Sequence, residues 1–173
     1  MADSNRNDKN IIKVNRLKKR TSNTVLKSRI LIPIGGNEKK SPDSEIFREM
    51  VEMAGGSQAR IVVVPTASEN PDERARDYNV LFSAFNPKSI QTVHIGERSD
   101  AGSKALCKII HETTLFMFGG GDQLRLSSLI GGTPLYHALL ERYQRRGCVI
   151  AGTSVGAAVL PEQSNSIISE GIH

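Results

Sequence analysis

Residues 152–156 read Gly-Thr-Ser-Val-Gly, directly after the apolar run Cys148-Val149-Ile150-Ala151. A buried strand running into G-x-S-x-G is the layout of a nucleophile elbow, where glycines allow a sharp turn and the serine hydroxyl stands exposed at the strand's carboxyl end. Ser154 is therefore the candidate nucleophile. The N–H of Val155 is placed to face the oxyanion of a tetrahedral intermediate. Ala157-Ala158-Val159-Leu160 continues with small and apolar residues that suit a helix. With 15 glycines in the chain, the pentapeptide needs its context, since the same residues also describe a turn with Ser154 as a helix N-cap.

A second glycine segment, Gly119-Gly120-Gly121-Asp122-Gln123, follows an apolar run and precedes a helical pattern. Glycine permits close backbone approach, and free N–H groups at a helix start attract an anion. The segment fits half of an oxyanion hole facing the Val155 N–H. It also fits a tight loop with Asp122 as N-cap. It lacks both G-x-G-x-x-G and the G-K-[ST] ending of a phosphate loop.

The elements that must position these residues alternate between strand and helix. Strand patterns occupy 30–34, 61–64, 90–95, 115–118 and 148–151. Residues 61–64 are apolar throughout, as in parallel strands buried on both faces. Helical spacing appears over 44–54, with Ile46, Phe47, Met50, Val51 and Ala54 inward, and over 72–85, with Tyr78, Leu81, Phe82 and Phe85 inward. It recurs over 101–111, with Ala105, Leu106, Ile109 and Ile110 inward, over 124–130, and over 133–145. The fold class is α/β, a mostly parallel sheet with helices on both faces. Ligands in such sheets bind beyond the carboxyl ends of the strands. The segments there, Gly35 to Glu38, Pro65 to Ser68, Gly119 to Gln123 and Ser154, are also the glycine- and hydroxyl-rich ones.

The net charge of +5 is a property of the leader. Residues 1–29 hold nine Lys/Arg against two Asp, whereas 30–173 are slightly acidic. Residues 1–28 read as a basic, disordered leader, and 29–173 as the nucleophile-bearing N-terminal part of a single domain. No aromatic residue interleaves the basic tail, which argues against a nucleic-acid partner. No apolar stretch approaches the length of a membrane span. Cys107 and Cys148 suit buried small hydrophobes in a reducing cytoplasm, and form neither a disulfide framework nor a metal cluster.

In order and spacing, Phe118 to Leu126, Gly131-Gly132-Thr133, and Val149 to Ala158 resemble cyanophycinase. Ala59 to Ser68 and Gly35-Gly36 are similar too. Cyanophycinases are serine peptidases related to peptidase E, within the class I glutamine-amidotransferase-like superfamily. The resemblance covers roughly 30–170. It implies hydrolysis of cyanophycin, a polyaspartate with arginine side groups, to β-Asp-Arg dipeptides. It implies Ser154 as nucleophile, an oxyanion hole from Gly120, Gly121 and Val155, a substrate pocket at Asp122 and Gln123, and no metal or organic cofactor.

Two departures are visible. The family carries Ala where this chain has Val155. Its catalytic His follows the serine in an Asp-Gln-His-Phe-like segment that these 173 residues lack. His94, His111 and His137 suit structural roles, and His173 is the terminal residue. The expectation is a sheet incomplete in this chain, completed together with the active site by a second polypeptide or another copy. The alternatives are a peptidase E-like dipeptidase acting on Asp-X peptides, and an inactive binding module for Asp/Arg-rich polymer.

Overall fold

The computed structural model describes residues 29–35 and 40–153. Five strands, β1 (Ile30–Ile34), β2 (Arg60–Val64), β3 (Ser89–Thr92), β4 (Leu115–Phe118) and β5 (Val149–Thr153), form one sheet in the order β1-β5-β4-β2-β3. Every described pairing is parallel. The helices are α1 (Glu45–Met53), α2 (Pro71–Ser83), α3 (Lys104–Glu112), α4 (Gln123–Ile130) and α5 (Pro134–Glu141).

Period-two alternation splits the core between the two sheet faces. Odd positions Ile61, Val63, Leu115, Met117, Val149 and Ala151 pack with Phe47 and Met50 of α1 and Tyr78, Leu81 and Phe82 of α2. Even positions Val62, Val64, Phe116, Phe118 and Ile150 pack with α3, α4 and α5. The chain thus winds one way through α1 and α2 and returns through the other three helices. The reversal falls between β2 and β4, where loops leave toward opposite faces. A crevice at such a switch point is the usual ligand site in an open α/β sheet.

The α/β expectation holds, with three local differences. β5 runs to Thr153 rather than ending at Ala151, because Pro33 and Ile34 on one side, and Phe118 on the other, pair with Gly152 and Thr153. β3 ends at Thr92 instead of residue 95, although Val93 N–H still donates to Val63 O at 2.9 Å. Ala105, expected inward, is exposed, and Ala101 is buried instead. The cause is a break at Ser103, which is extended (φ −62°, ψ 128°), so α3 starts only at Lys104 with Leu106 and Ile110 facing the sheet.

Below the sheet, at the amino end of β5, burial pushes the Cys148 thiol up to about 12, against a smaller opposing effect of the Arg142 cation. Arg142 is itself buried, and its Nε donates to Thr113 O at 2.8 Å. Desolvation lowers its pKa.

Candidate active site

β5 is an inner strand, flanked by β1 and β4 and buried along its whole length. Its carboxyl end delivers the chain to Ser154. Ser154 and Val155 lie outside the described residues, as does the 36–38 part of the early glycine segment.

Gly120 and Gly121 lie in the loop that leaves the neighbouring strand. Phe118 stands opposite Gly152 in the β4–β5 register, so this loop begins one strand spacing, about 4.8 Å, from the end of β5. Gly119 N–H continues the ladder to Val64 O at 3.0 Å, and Asp122 N–H donates to Ala67 O at 2.7 Å. Between them, the Gly120 and Gly121 N–H groups donate to no backbone carbonyl among the described residues. Among the described residues, these two amides stand outside the ladder, in the loop beside the end of β5.

Gly121 is fixed by packing. Its φ is +148°, and a Cβ there would stand 1.8 Å from Ala67 O and 2.4 Å from Ala67 C. The β4–α4 loop therefore lies directly on the β2–α2 loop, across the switch point. That second loop is itself tied down: the Thr66 hydroxyl accepts from Ile95 N–H at 3.3 Å, and the Ser68 hydroxyl accepts from Asn70 N–H at 3.2 Å. Both residues are buried. The polar segment 65–68 thus buttresses the glycine loop.

Asp122 caps α4, its Oδ1 accepting from Leu124 N–H at 2.8 Å and Arg125 N–H at 3.2 Å. Gln123 opens the helix and is exposed, as is Leu124 at 78%. The far end of α4 is held by Arg98, which donates to Ser128 O at 2.7 Å and Gly131 O at 2.8 Å. No local pattern in the sequence signals this latch.

None of the described histidines lies on β5 or on the β4–α4 loop. His94 follows β3, three strand places from β5 or about 14 Å, and its Nε2 stands 3.8 Å from Asp72 Oδ1. His111 is in the last turn of α3, at the opposite end of the sheet, and His137 is exposed on α5. Among the described residues no group of three or more His, Cys, Asp or Glu is placed to hold a metal ion. No described helix is long and apolar enough to cross a membrane.

A further contact was not foreseen. Tyr78 of α2 and Thr153, the last residue of β5, are hydrogen-bonded through their hydroxyls at 3.0 Å. The available signal was a tyrosine in an inward helical stripe, because a buried phenol needs a polar partner.

A parallel sheet with helices on both faces, whose inner strand β5 ends within the sequence Gly-Thr-Ser-Val-Gly, defines an α/β protein. The chain belongs to peptidase family S51, whose family model matches residues 30–170. It is 35% identical over 133 residues to the cyanophycinase of Synechococcus elongatus, covering 77% of this chain and 41% of that protein. It is 33% identical over 135 residues to the cyanophycinase of Geminocystis herdmanii, covering 78% of this chain and 49% of that one. The chain thus spans less than half the length of these relatives. Among solved structures, a peptidase from an acI-B1 Actinobacterium shares the fold, with a TM-score of 0.60 and 24% identity over 73% of this chain and 54% of that one.

Proposed function

We propose that this chain is the nucleophile-bearing part of a cyanophycinase-like serine exopeptidase that releases β-Asp-Arg dipeptides from cyanophycin. The observation that carries the reading is the β4–β5 register, which brings the free amides of Gly120 and Gly121 beside the strand that leads into Ser154. In this reading the Ser154 hydroxyl attacks the scissile carbonyl. The Gly120, Gly121 and Val155 N–H groups stabilise the oxyanion, where loss of a single donor costs on the order of 10²–10³ in rate. Gln123, exposed at the start of α4, contacts the substrate. Asp122 acts through its cap, which fixes the direction in which Gln123 leaves the loop.

A serine hydroxyl needs a base within hydrogen-bond reach. His94 follows a strand three places from β5, His111 stands at the opposite end of the sheet, and His137 is exposed on α5. We place the base outside the described residues, on a further segment or on a second polypeptide that stays associated. Kinship with cyanophycinases at about a third identity favours cyanophycin over Asp-X dipeptides.

The test is dipeptide release from cyanophycin by the native preparation, together with every polypeptide that co-purifies. Ser154→Ala is expected to fold and to lose turnover by at least ~10³-fold, as for other activated serine nucleophiles. Unaltered turnover refutes the assignment. Faster hydrolysis of α-linked Asp-X dipeptides than of cyanophycin replaces the substrate, and tight cyanophycin binding without dipeptide release replaces catalysis by binding.

A further inference from the structure

We infer that Tyr78 is a positioning residue for the nucleophile, acting through the side chain of Thr153. The inference rests on the reading of Ser154 as nucleophile. The ladder from β5 to β4 ends at Phe118 opposite Gly152, while the ladder to β1 runs one residue further, to Ile34 opposite Thr153. At this point the 3.0 Å hydroxyl–hydroxyl bond adds a tether from α2. Thr153 occupies an odd position, on the sheet face that α1 and α2 cover, so the bond continues the packing of that face.

The tether is stiff at both ends. Tyr78 is 0% exposed, and its ring stacks on Phe82 at 6.1 Å and meets the edge of Phe47 at 6.4 Å. The Lys40 ammonium stands 5.5 Å from the ring centroid, joining the loop after β1 to the same residue. Thr153 is 7% exposed and β-branched, which restricts its χ1. With χ1 and the Tyr78 ring both fixed, the bond selects one rotation of the backbone at Thr153. The next peptide unit carries Ser154. A reacting group displaced by about 1 Å can lose on the order of 10²-fold in rate, so a single buried hydroxyl bond at this position has kinetic weight. The residue's function differs from that of Phe82 one turn later, which supplies only apolar surface to the same cluster.

The experiment measures the rate at which a fluorophosphonate labels Ser154 in the native preparation, with the site identified by peptide mapping. The variants are Tyr78→Phe, Thr153→Val, Thr153→Ser and the Tyr78→Phe/Thr153→Val double variant, each with its melting temperature. Tyr78→Phe and Thr153→Val are each expected to slow labelling by about tenfold or more, the loss falling on the rate at saturating reagent. The double variant should lose less than the product of the two single losses, because both substitutions remove the shared Tyr78–Thr153 bond. Thr153→Ser keeps the hydroxyl and should stay within about threefold of the native rate. A Tyr78→Phe rate within twofold of native, or losses that multiply in the double variant, overturns the inference. If Tyr78→Phe does not fold, the contrast between Thr153→Val and Thr153→Ser decides alone. Absence of labelling in the unsubstituted protein overturns the nucleophile reading, and this inference with it. Labelling that Tyr78→Phe and Thr153→Val leave unchanged overturns this inference only.

Discussion

Replacing Gly121 with alanine adds one methyl group where the structure has no room. The new Cβ would stand 1.8 Å from Ala67 O, 2.4 Å from Ala67 C and 2.8 Å from Ser68 N, all backbone atoms with no rotamer by which to move aside. The φ of +148° is a further obstacle, since an L side chain strained in this way costs about 1–3 kcal/mol. Separating the two loops breaks the bond from Asp122 N–H to Ala67 O, worth about 0.5–1.5 kcal/mol net. Relieving the overlap adds roughly 1–3 kcal/mol, as in an overpacked core. The expected destabilisation is about 2.5–7.5 kcal/mol, a fall in melting temperature of roughly 8–22 °C at about 3 °C per kcal/mol. Circular dichroism melts and urea titrations measure it. Gly102→Ala is the control, because nothing lies within 4 Å of its added Cβ, and it should move stability by no more than about 0.5 kcal/mol. Fluorophosphonate labelling of the Gly121→Ala protein below its melting point should be slower than native, since the amides beside the β5 exit have shifted. A Gly121→Ala protein that melts within about 2 °C of native and labels at the native rate refutes the loop-on-loop packing.

Three further outcomes are expected. Asp122→Ala removes the cap of α4 and should cost about 1 kcal/mol, while Asp122→Ser should recover most of it; urea titrations compare the two. Cys148, raised to about 12 in the fold from an ordinary value of 9.0, keeps its proton where the unfolded thiol has lost it. The unfolded chain then binds fewer protons, so stability present below pH 9 declines as pH rises toward 12. Cys148→Ala should flatten that decline in urea titrations between pH 7 and 10.5. In the native protein near pH 8, a thiol reagent should modify Cys148 far more slowly than in the unfolded chain.

The apolar runs Ile61–Val64 of β2 and Leu115–Phe118 of β4 are legible in sequence because a doubly covered parallel strand has no polar alternation to confuse the reading. The end of β5 is not. Gly152 reads as the start of a turn, yet pairing with Pro33 and Phe118 keeps it in the ladder. The Ala105 assignment failed for a related reason, since periodicity gives the phase of a helix but not the residue at which it starts. At the glycine loop the N-cap reading of Asp122 holds, while the Gly120 and Gly121 N–H groups donate to no backbone carbonyl among the described residues. Composition shows that glycine stands at 121, but only the position of Ala67, 54 residues earlier in the chain, shows why no other residue fits. The Tyr78–Thr153 bond joins residues 75 apart, and no local pattern encodes such a pairing.

The strand order has a consequence for how the chain acquires its shape. β1 is made first, yet its sheet neighbour is β5, and Ile30 meets Val149 about 120 residues later. Closing so long a loop carries a large entropic charge before any contact repays it, and non-local parallel pairing is slow for that reason. The β2–α2–β3 crossover unit can assemble early, because its strands are adjacent in both sequence and space. β1 must wait, with Ile32 and Ile34 uncovered, until the strand that leads to Ser154 has emerged. Substitutions that weaken the β1–β5 pairing should therefore appear first as aggregation during synthesis, before any loss of stability in the finished protein.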